Sequence, residues 1–513
     1  MFICFRNKLM KACFLLQRRF AYVGHAMAKI LSEKYGVNEF CGYVSVRASF
    51  DFLKSQKDIK YSALLLDDEI HKKFKAEPLD YNYLKELEKR FGMPNLWPYI
   101  EMDRVVRRNQ LLREYPYDTP PYTHEEMLKI LQVKTKAIWK FLQKERPDVL
   151  ILTVVADIAT LFLLNAAKSM GVRVLFLKPA RVGELHTLTE DFPNLSFAEN
   201  VFAKLQSGAM SLPEEKRRAE KFLKEFREKP SPYSHQDTPD KKPVSKRRQF
   251  AFLAPAKFLI SLRWTLKVFI DYAKNPHKDD LFVVKPWHYV WDRLKRKARV
   301  LIGFEDLYDE IDFRENYAFF PLQYEPEAGT SVFSKFYTDQ LWLIQQIARS
   351  LPVDFKLYVK EHPAMYGYRS RRFYKELKKI PNLKLIRPTE WSFDLIKHSK
   401  LIATITGTSG WEGILLKKPI ITFGDVFYNK LPMAKKCENI NDLPYLIKER
   451  VENFHHDEKK LIDFLTAIYK ESVDVDLIKI WEIEGGAHVE KNKQALTAYV
   501  DLIAEKLDLK PRN

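Results

Sequence analysis

Residues 401–424 read LIATITGTSGWEGILLKKPIITFG. An apolar run from Leu401 to Ile405 passes into Thr406-Gly407-Thr408-Ser409-Gly410, a short helical pattern follows, and a second apolar run spans Pro419 to Phe423. The order predicts strand 400–405, helix 410–416 and strand 419–423, a β-α-β unit whose strands run parallel. Small residues at the first strand-helix junction let backbone N–H groups come close to an anion. The helix dipole and the Thr and Ser hydroxyls then favour phosphate. Glu412, one turn into the helix, is placed to accept hydrogen bonds from the vicinal hydroxyls of a ribose. The same letters have a purely structural reading, because Ser409-Gly-Trp-Glu412 matches the S-x-x-E capping box.

Upstream, KLYVKEHP (356–363) brings a predicted strand, 355–359, to Lys360, Glu361 and His362 at its carboxyl end. Pro363 restrains His362 to extended geometry, which aims the ring out of the strand. A lone histidine in such a place is often just a loop residue. In a parallel sheet, however, both loops open on the same edge, so His362 and the Thr408/Ser409 turn can converge on one phosphate.

The alternation extends in both directions. Strands are expected at 317–320 and 383–386, with helices near 334–350, 368–379 and 391–398. The first half repeats the pattern, with strands at 12–16, 38–45, 61–66, 147–155 and 173–178. Gly24-His25 reads as the first strand-helix turn, and helices are expected at 26–34, 80–91, 123–144 and 157–169. These observations predict an α/β protein of two Rossmann-like, doubly wound domains facing a cleft. The boundaries are 1–212 for an N-terminal acceptor domain, 213–315 for a charged helix, linker and basic amphipathic segment, 316–457 for a nucleotide-sugar domain, and 458–513 for a helical tail packing back across the domains. Ligands on open α/β sheets bind beyond the carboxyl ends of the strands. Acid-base candidates on the acceptor side are therefore Asp157, beyond strand 147–155, His25 in the first loop, and the Asp67-Asp68 pair. Asp157 is equally suited to cap a helix.

At 513 residues and 46% hydrophobic content the chain is long enough for two cores. The four cysteines make no CxxC pair, which fits a reducing compartment. The N-terminal MFICFRNKLMKACFLLQ is interrupted by Arg6, Lys8 and Lys11, so no signal peptide is expected. Net charge is +19, but residues 241–300 hold 16 Lys/Arg against 4 Asp/Glu, so 12 of the excess charges sit in one segment. Within it QFAFLAPAKFLISLRWTLKVFIDYAK (249–274) gives an apolar face with a cationic rim, with KRR before it and RLKRKAR (293–299) after it. An anionic membrane surface is the expected partner for 244–299, against the alternative of a helix docked on the domains. No nucleic-acid motif accompanies the charge, and nucleic acid is not an expected partner.

KEHP followed about forty residues later by TGTSGWEGILLKKPIITFG, and preceded by FFPLQYEPE (319–327), resembles the bacterial capsule polysaccharide biosynthesis family of GT-B glycosyltransferases and the sialyl- and Kdo-transferase pattern. The likeness covers roughly 317–424 and is diffuse elsewhere. It implies a nucleotide-sugar donor, such as a CMP-linked sugar, and a surface polysaccharide or lipid-linked acceptor. It also implies that His362 contacts the donor phosphate and helps the nucleotide leave, that Thr408 and Ser409 bind phosphate oxygens, and that Glu412 holds the ribose. Glu361, Thr406, Gly407 and Gly410 complete the donor corner, Gln323 and Glu327 line the cleft, and Pro419 to Gly424 wall the base pocket. No cofactor and no metal are expected. The one D-x-D, Asp474-Val-Asp476, lies late in the chain. A cytoplasmic protein, peripheral on the inner face of the membrane, is the matching location. The alternatives are glycerophosphate transfer from CDP-glycerol or epimerisation of a UDP-sugar on the same fold, and, in other classes, a basic nucleic-acid-binding protein or a non-catalytic capsule-assembly scaffold.

Overall fold

Runs such as Cys13-Phe14-Leu15-Leu16 are apolar at every position because both faces of the strand they form are covered; all four side chains are fully buried. The computed structural model describes residues 10–110, 120–232, 250–251, 254–325, 327–334, 336–482, 489 and 491–512. The KRR run at 246–248 and the Pro- and Ser-rich stretch from 233 lie outside these residues.

The first six strands are β1 (Lys11–Leu16), β2 (Glu39–Val44), β3 (Tyr61–Leu66), β4 (Val149–Leu152), β5 (Arg173–Pro179) and β6 (Leu185–Thr189). The next six are β7 (Asn316–Pro321), β8 (Phe355–Lys360), β9 (Leu383–Ile386), β10 (Leu401–Thr404), β11 (Ile420–Thr422) and β12 (Ala434–Lys436), and β13 (Ser472–Asp474) comes from the tail. One sheet has the order β13-β6-β5-β4-β1-β2-β3, the other β12-β11-β10-β7-β8-β9. The second is parallel throughout, and β1 to β5 of the first are parallel too; β6 pairs antiparallel to β5, and β13 antiparallel to β6. Both sheets therefore reverse their winding once, between β1 and β4 and between β7 and β10. Those are the switch points where a crevice opens beyond the carboxyl edge. Two doubly wound domains are thus present as expected, with β6, β12 and β13 as strands the sequence did not announce.

The carboxyl edges meet across a cleft. Trp411 Nε1, just after β10, donates to Arg181 O, just after β5, at 2.9 Å. Phe333, beyond β7, packs against Phe192 with ring centroids 4.7 Å apart. The helix Pro213–Glu228, grouped with the linker on its charge, packs instead with the second sheet. Its Ala219, Leu223 and Phe226 share an apolar cluster with Tyr317, Phe319 and Tyr358. The i, i+4, i+7 spacing of those three residues makes a narrow seam that the surrounding charge hides.

The tail crosses back. Helix Glu458–Lys470 rests on helices Ser196–Gln206 and Pro213–Glu228, where Arg227 makes a bidentate pair with Glu458 at 2.5 and 2.8 Å. After β13, helix Lys493–Lys506 packs on helix Phe20–Tyr35, and Asp501 accepts from Lys34 Nζ and Tyr35 OH, both at 2.7 Å.

Close helix-strand packing in the second domain depends on Gly413. A Cβ there would lie 2.3 Å from Ile402 Cδ1 and 2.7 Å from Ile420 Cδ1, wedging the helix Thr408–Leu415 off β10 and β11. Gly413→Val is expected to destabilise this domain by about 1–3 kcal/mol, the usual range for overpacking, read as a lowered urea midpoint with helix content retained in water.

Candidate functional site

Three loops of the second domain meet at the β7/β10 switch point. The first follows β10. Its helix starts at Thr408 with Gly407 as N-cap, and no side chain caps it. Ser409 is thus already inside the first turn, so the capping box suggested by Ser409 and Glu412 does not form. Gly410 sits under the Tyr428 hydroxyl, which would be 2.4 Å from a Cβ, and that hydroxyl donates to Gly407 O at 2.7 Å. Glu412 is 8% exposed, on the inner side of the helix.

The second loop follows β7. Gln323 reaches across with its side-chain amide, whose oxygen accepts from Thr406 N at 2.9 Å, Gly407 N at 2.7 Å and Thr404 Oγ1 at 3.1 Å. Thr406 Oγ1 in turn donates to Gly329 O at 2.9 Å. The Thr406 and Gly407 amides, expected to cradle a ligand, are therefore satisfied within the protein. Gln323 shapes the turn rather than lining open space. What the turn still presents toward the crevice is the first helical turn, Thr408 and Ser409, whose N–H groups have no acceptor within their own helix. Glu327 is exposed at the rim of this loop.

The third loop follows β8. His362 has φ −63° and ψ 129°, the extended geometry expected before Pro363. Its Nδ1 accepts from Ala364 N at 3.2 Å. In the neutral ring that places the proton on Nε2, so the imidazole is set as a donor on that side. The Tyr324 ring meets it edge-on at 6.0 Å. Glu361 faces the other way and is 1% exposed. Its carboxylate accepts from Arg369 Nε at 2.9 Å, Tyr374 OH at 2.7 Å and His362 N at 2.7 Å. The donor-binding role expected for Glu361 is corrected to a structural one, since its oxygens are committed behind the site. Arg369 also donates to Glu325 at 2.5 Å and to Gln323 O at 2.6 Å. His362 and the Thr408 turn thus belong to one bonded assembly, joined through Arg369 and Gln323.

Across the cleft, the carboxyl edge of the first sheet carries the acidic candidates. Asp157 caps helix Ile158–Ser169 in a full capping box with Thr160, whose N–H donates to it at 2.8 Å. Burial, with the Asp103 and Asp67 carboxylates nearby, pushes the Asp157 carboxyl up to about 6 against the opposing pull of Lys134. Asp67 is neutralised by the fully buried Lys134, which donates to both oxygens at 2.7 and 2.6 Å. Asp68 accepts from Arg47 N and Leu281 N, both at 3.1 Å, and burial, with Asp280 and Asp67 adding, raises it to about 7.

His25 is a correction. Helix Phe20–Tyr35 begins five residues before it. Its ring bonds Tyr61 OH at 3.2 Å and Asp58 at 3.0 Å, at the amino-terminal start of β3. That is the opposite end of the sheet from the cleft, so His25 is a packed histidine and not an acid-base group. The Asp474 and Asp476 pair is also structural: Asp474 pairs with Leu185 in the sheet and Asp476 Oδ1 accepts from Lys479 N at 2.9 Å. Among the described residues, no group of three or more His, Cys, Asp or Glu side chains is close enough to hold a metal ion.

Sequence reading missed Arg181. It follows β5, holds φ at 61°, and places its charge beside Tyr428 together with Glu412. A left-handed backbone at a non-glycine residue costs of order 1 kcal/mol and persists where surrounding contacts fix it; here the Trp411 indole clamps the Arg181 carbonyl. No local pattern announces a residue whose partners lie over two hundred positions away.

Two Rossmann-like domains with a phosphate-suited helix start, a donor imidazole and a buried carboxyl across one cleft define a GT-B-like α/β protein. Residues 209–437 match the family described as capsule polysaccharide biosynthesis protein. The matched segment contains the KEHP and GTSGWE elements and the helix at 213–228, the elements that carry the resemblance. A search of curated proteins returns no match. Among solved structures, the chain is similar to the KpsC beta Kdo 2,7 transferase of Thermosulfurimonas dismutans, at 12% identity over 71% of this chain and 89% of that one, TM-score 0.34. The beta Kdo 2,4 transferase of the same KpsC gives 14% identity over 63% and 80%, TM-score 0.34. The UDP-GlcNAc 2-epimerase of Methanocaldococcus jannaschii, in complex with UDP-GlcNAc and UDP, gives 14% over 95% and 100%, TM-score 0.26. Overlaps this loose fix neither donor nor reaction.

The raised Asp157 carboxyl has a measurable signature. With a folded value of about 6 against an ordinary 3.8, it favours the folded chain fully only below pH 3.8, and that contribution is lost as pH rises through 6. Asp157→Asn keeps a good N-cap and removes the titration. Relative to wild type, the variant's melting temperature should rise between pH 4 and pH 7, by roughly 2 °C or more. A pH-independent difference would mean that the carboxyl titrates normally.

Proposed function

We propose that the protein transfers a sugar from a nucleotide-activated donor to a surface polysaccharide or lipid-linked acceptor in capsule-type glycan synthesis. The observation that carries the reading is the joining of His362 to the Thr408/Ser409 helix start through Arg369 and Gln323. A donor imidazole and free helical N–H groups suit a departing phosphate, and the family of the matched segment points the same way.

In this reading the donor phosphate lies over the first turn of helix Thr408–Leu415. As the bond from the sugar carbon to the phosphate oxygen breaks, negative charge grows on that oxygen. The Thr408 and Ser409 N–H groups and hydroxyls, with the Nε2 proton of His362, stabilise it from fixed positions. Glu412 accepts from the ribose hydroxyls, while Arg181 brings a cation from the facing domain. Asp157 takes the proton from the acceptor hydroxyl as the new bond forms. A base near pKa 6 is ionised at neutral pH yet still basic enough for the task. Glu327 lines the rim. Protein groups supply all of this charge stabilisation, and the reaction uses no metal. The free, buried thiols of Cys13, Cys41 and Cys437 suit a cytoplasmic setting.

The test is a thermal-shift screen of CMP-, UDP-, GDP- and dTDP-sugars, followed by donor hydrolysis and transfer assays. One nucleotide class should stabilise the protein, and Ser409→Ala or Glu412→Gln should weaken that binding by roughly tenfold, about one lost hydrogen bond to a charged group. His362→Ala should lower turnover by about a hundredfold or more with donor binding retained, and Asp157→Asn should lower transfer by more than about tenfold. Stabilisation by no nucleotide sugar, together with hydrolysis indifferent to His362, would sink the reading.

A further inference from the structure

Helices Pro255–Lys274 and Pro286–Ile302 form a hairpin between the two domains, and it is built unlike the rest of the molecule. The first helix is 20 residues long and has no buried residue. One side of it meets its partner helix: Trp264 packs edge-on against Tyr289 at 5.9 Å and lies under the Arg293 guanidinium at 3.9 Å. The opposite side carries Leu262, Leu266 and Phe269, at i, i+4 and i+7, flanked by Leu259 and Ile270. These five are 43% to 53% exposed. On the second helix Trp287, Trp291 and Leu294 repeat the spacing at 51% to 54% exposure. Rows of large apolar side chains left uncovered on both helices mark an interaction site.

Charge decides the occupant. Arg263, Lys267 and Lys274 border the uncovered side of the first helix, and the stretch 241–300 holds 16 cationic residues against 4 anionic ones. Apolar and aromatic residues on one face with a cationic border are what an anionic bilayer surface takes up: the rings and aliphatic chains enter the headgroup boundary while Lys and Arg meet lipid phosphates. No helix among the described residues is long and apolar enough to cross a membrane, so the hairpin lies on the surface.

The two ends of the hairpin are tied to the two domains, the loop joining its helices to the first and its C-terminal end to the second. Leu281 N donates to Asp68 at 3.1 Å, and Asp280 accepts from Arg47 Nε at 2.9 Å and Lys72 Nζ at 2.5 Å. At the other end Arg299 donates to Tyr368 O, and Arg371 Nη1 donates to Gly303 O at 2.9 Å, on the segment that follows His362. Whatever the hairpin lies on is therefore held beside the mouth of the cleft.

We propose that the hairpin 255–302 docks the protein on an anionic bilayer and presents the cleft mouth to an acceptor anchored in that bilayer; only the second clause rests on the transferase reading above. The test uses the full chain with phosphatidylcholine vesicles, with and without phosphatidylglycerol. Wild type should co-sediment with the anionic vesicles, at least about tenfold more than with the neutral ones, and tryptophan emission should shift to the blue as Trp287 and Trp291 enter the interface. Leu266→Ser with Ile270→Ser should abolish sedimentation while leaving thermal melting and donor hydrolysis in vesicle-free solution unchanged, because both side chains are exposed. Equal sedimentation of wild type and variant would overturn the proposal. So would a wild-type dimer in lipid-free light scattering that the variant lacks, which would assign the face to a second copy. A wild type that binds the anionic vesicles but hydrolyses no nucleotide sugar would instead count against the transferase reading alone.

Discussion

Arg369 carries a charge into the interior of the second domain and meets two carboxylates and a carbonyl there: Glu361, Glu325 and Gln323 O. Burying a guanidinium costs several kcal/mol unless every donor is answered, and here the answers come from two different loops. That requirement locks the loop after β7 to the loop after β8. Gln323, held through its backbone by Arg369 and Gln340, then has its amide left to pin the Thr406-Gly407 turn. Three loops are thus held together by one buried cation. His362, whose N–H donates to Glu361, and the start of helix Thr408–Leu415 thereby gain fixed positions.

Much of this frame was legible in the sequence, for a simple reason. Strands covered on both faces must be largely apolar, so β1, β4, β10 and β11 stand out as runs. Helices that cover them show a 3.6-residue period. β6 (LHTLT), β12 (AKK) and β13 (SVD) were not legible, because they are short edge strands whose pairing is set by distant partners: Thr187 faces Ser472 across nearly three hundred residues of chain. His25 was misplaced because helix Phe20–Tyr35 starts without a capping side chain, its N-cap being Arg19 after a left-handed Arg18 at φ 44°. Sequence patterns locate helix starts by their caps, and here there is none.

The site itself was legible in its residue types and not in their orientation. KEHP and GTSGWE announced a strand-end histidine and a phosphate-suited turn, and the structure joins them. What local letters do not carry is which way each polar group faces. Glu361 looks outward in the sequence and is turned inward by Arg369 and Tyr374. The Thr406 and Gly407 amides look free and are taken by Gln323. Ser409 and Glu412 look like a capping pair, but the helix begins one residue ahead of Ser409 and the pair cannot cap it. In each case a side chain from another loop reassigns the hydrogen bonds.

The two domains also divide the chemistry by charge environment. The second offers donors at the surface of the cleft, with buried Arg369 matched by carboxylates. The first does the reverse: buried Lys134 is paired with Asp67, and burial beside neighbouring carboxylates raises Asp68, Asp103 and Asp157. Burial among like charges disfavours the ionised form of each of these three. Leu281 N, in the loop joining the hairpin helices, donates to Asp68, while at the other end of the hairpin Arg299 donates to Tyr368 O and Gly303 O accepts from Arg371, both downstream of His362. The hairpin is thus hydrogen-bonded to the first domain at its loop and to the second at its end.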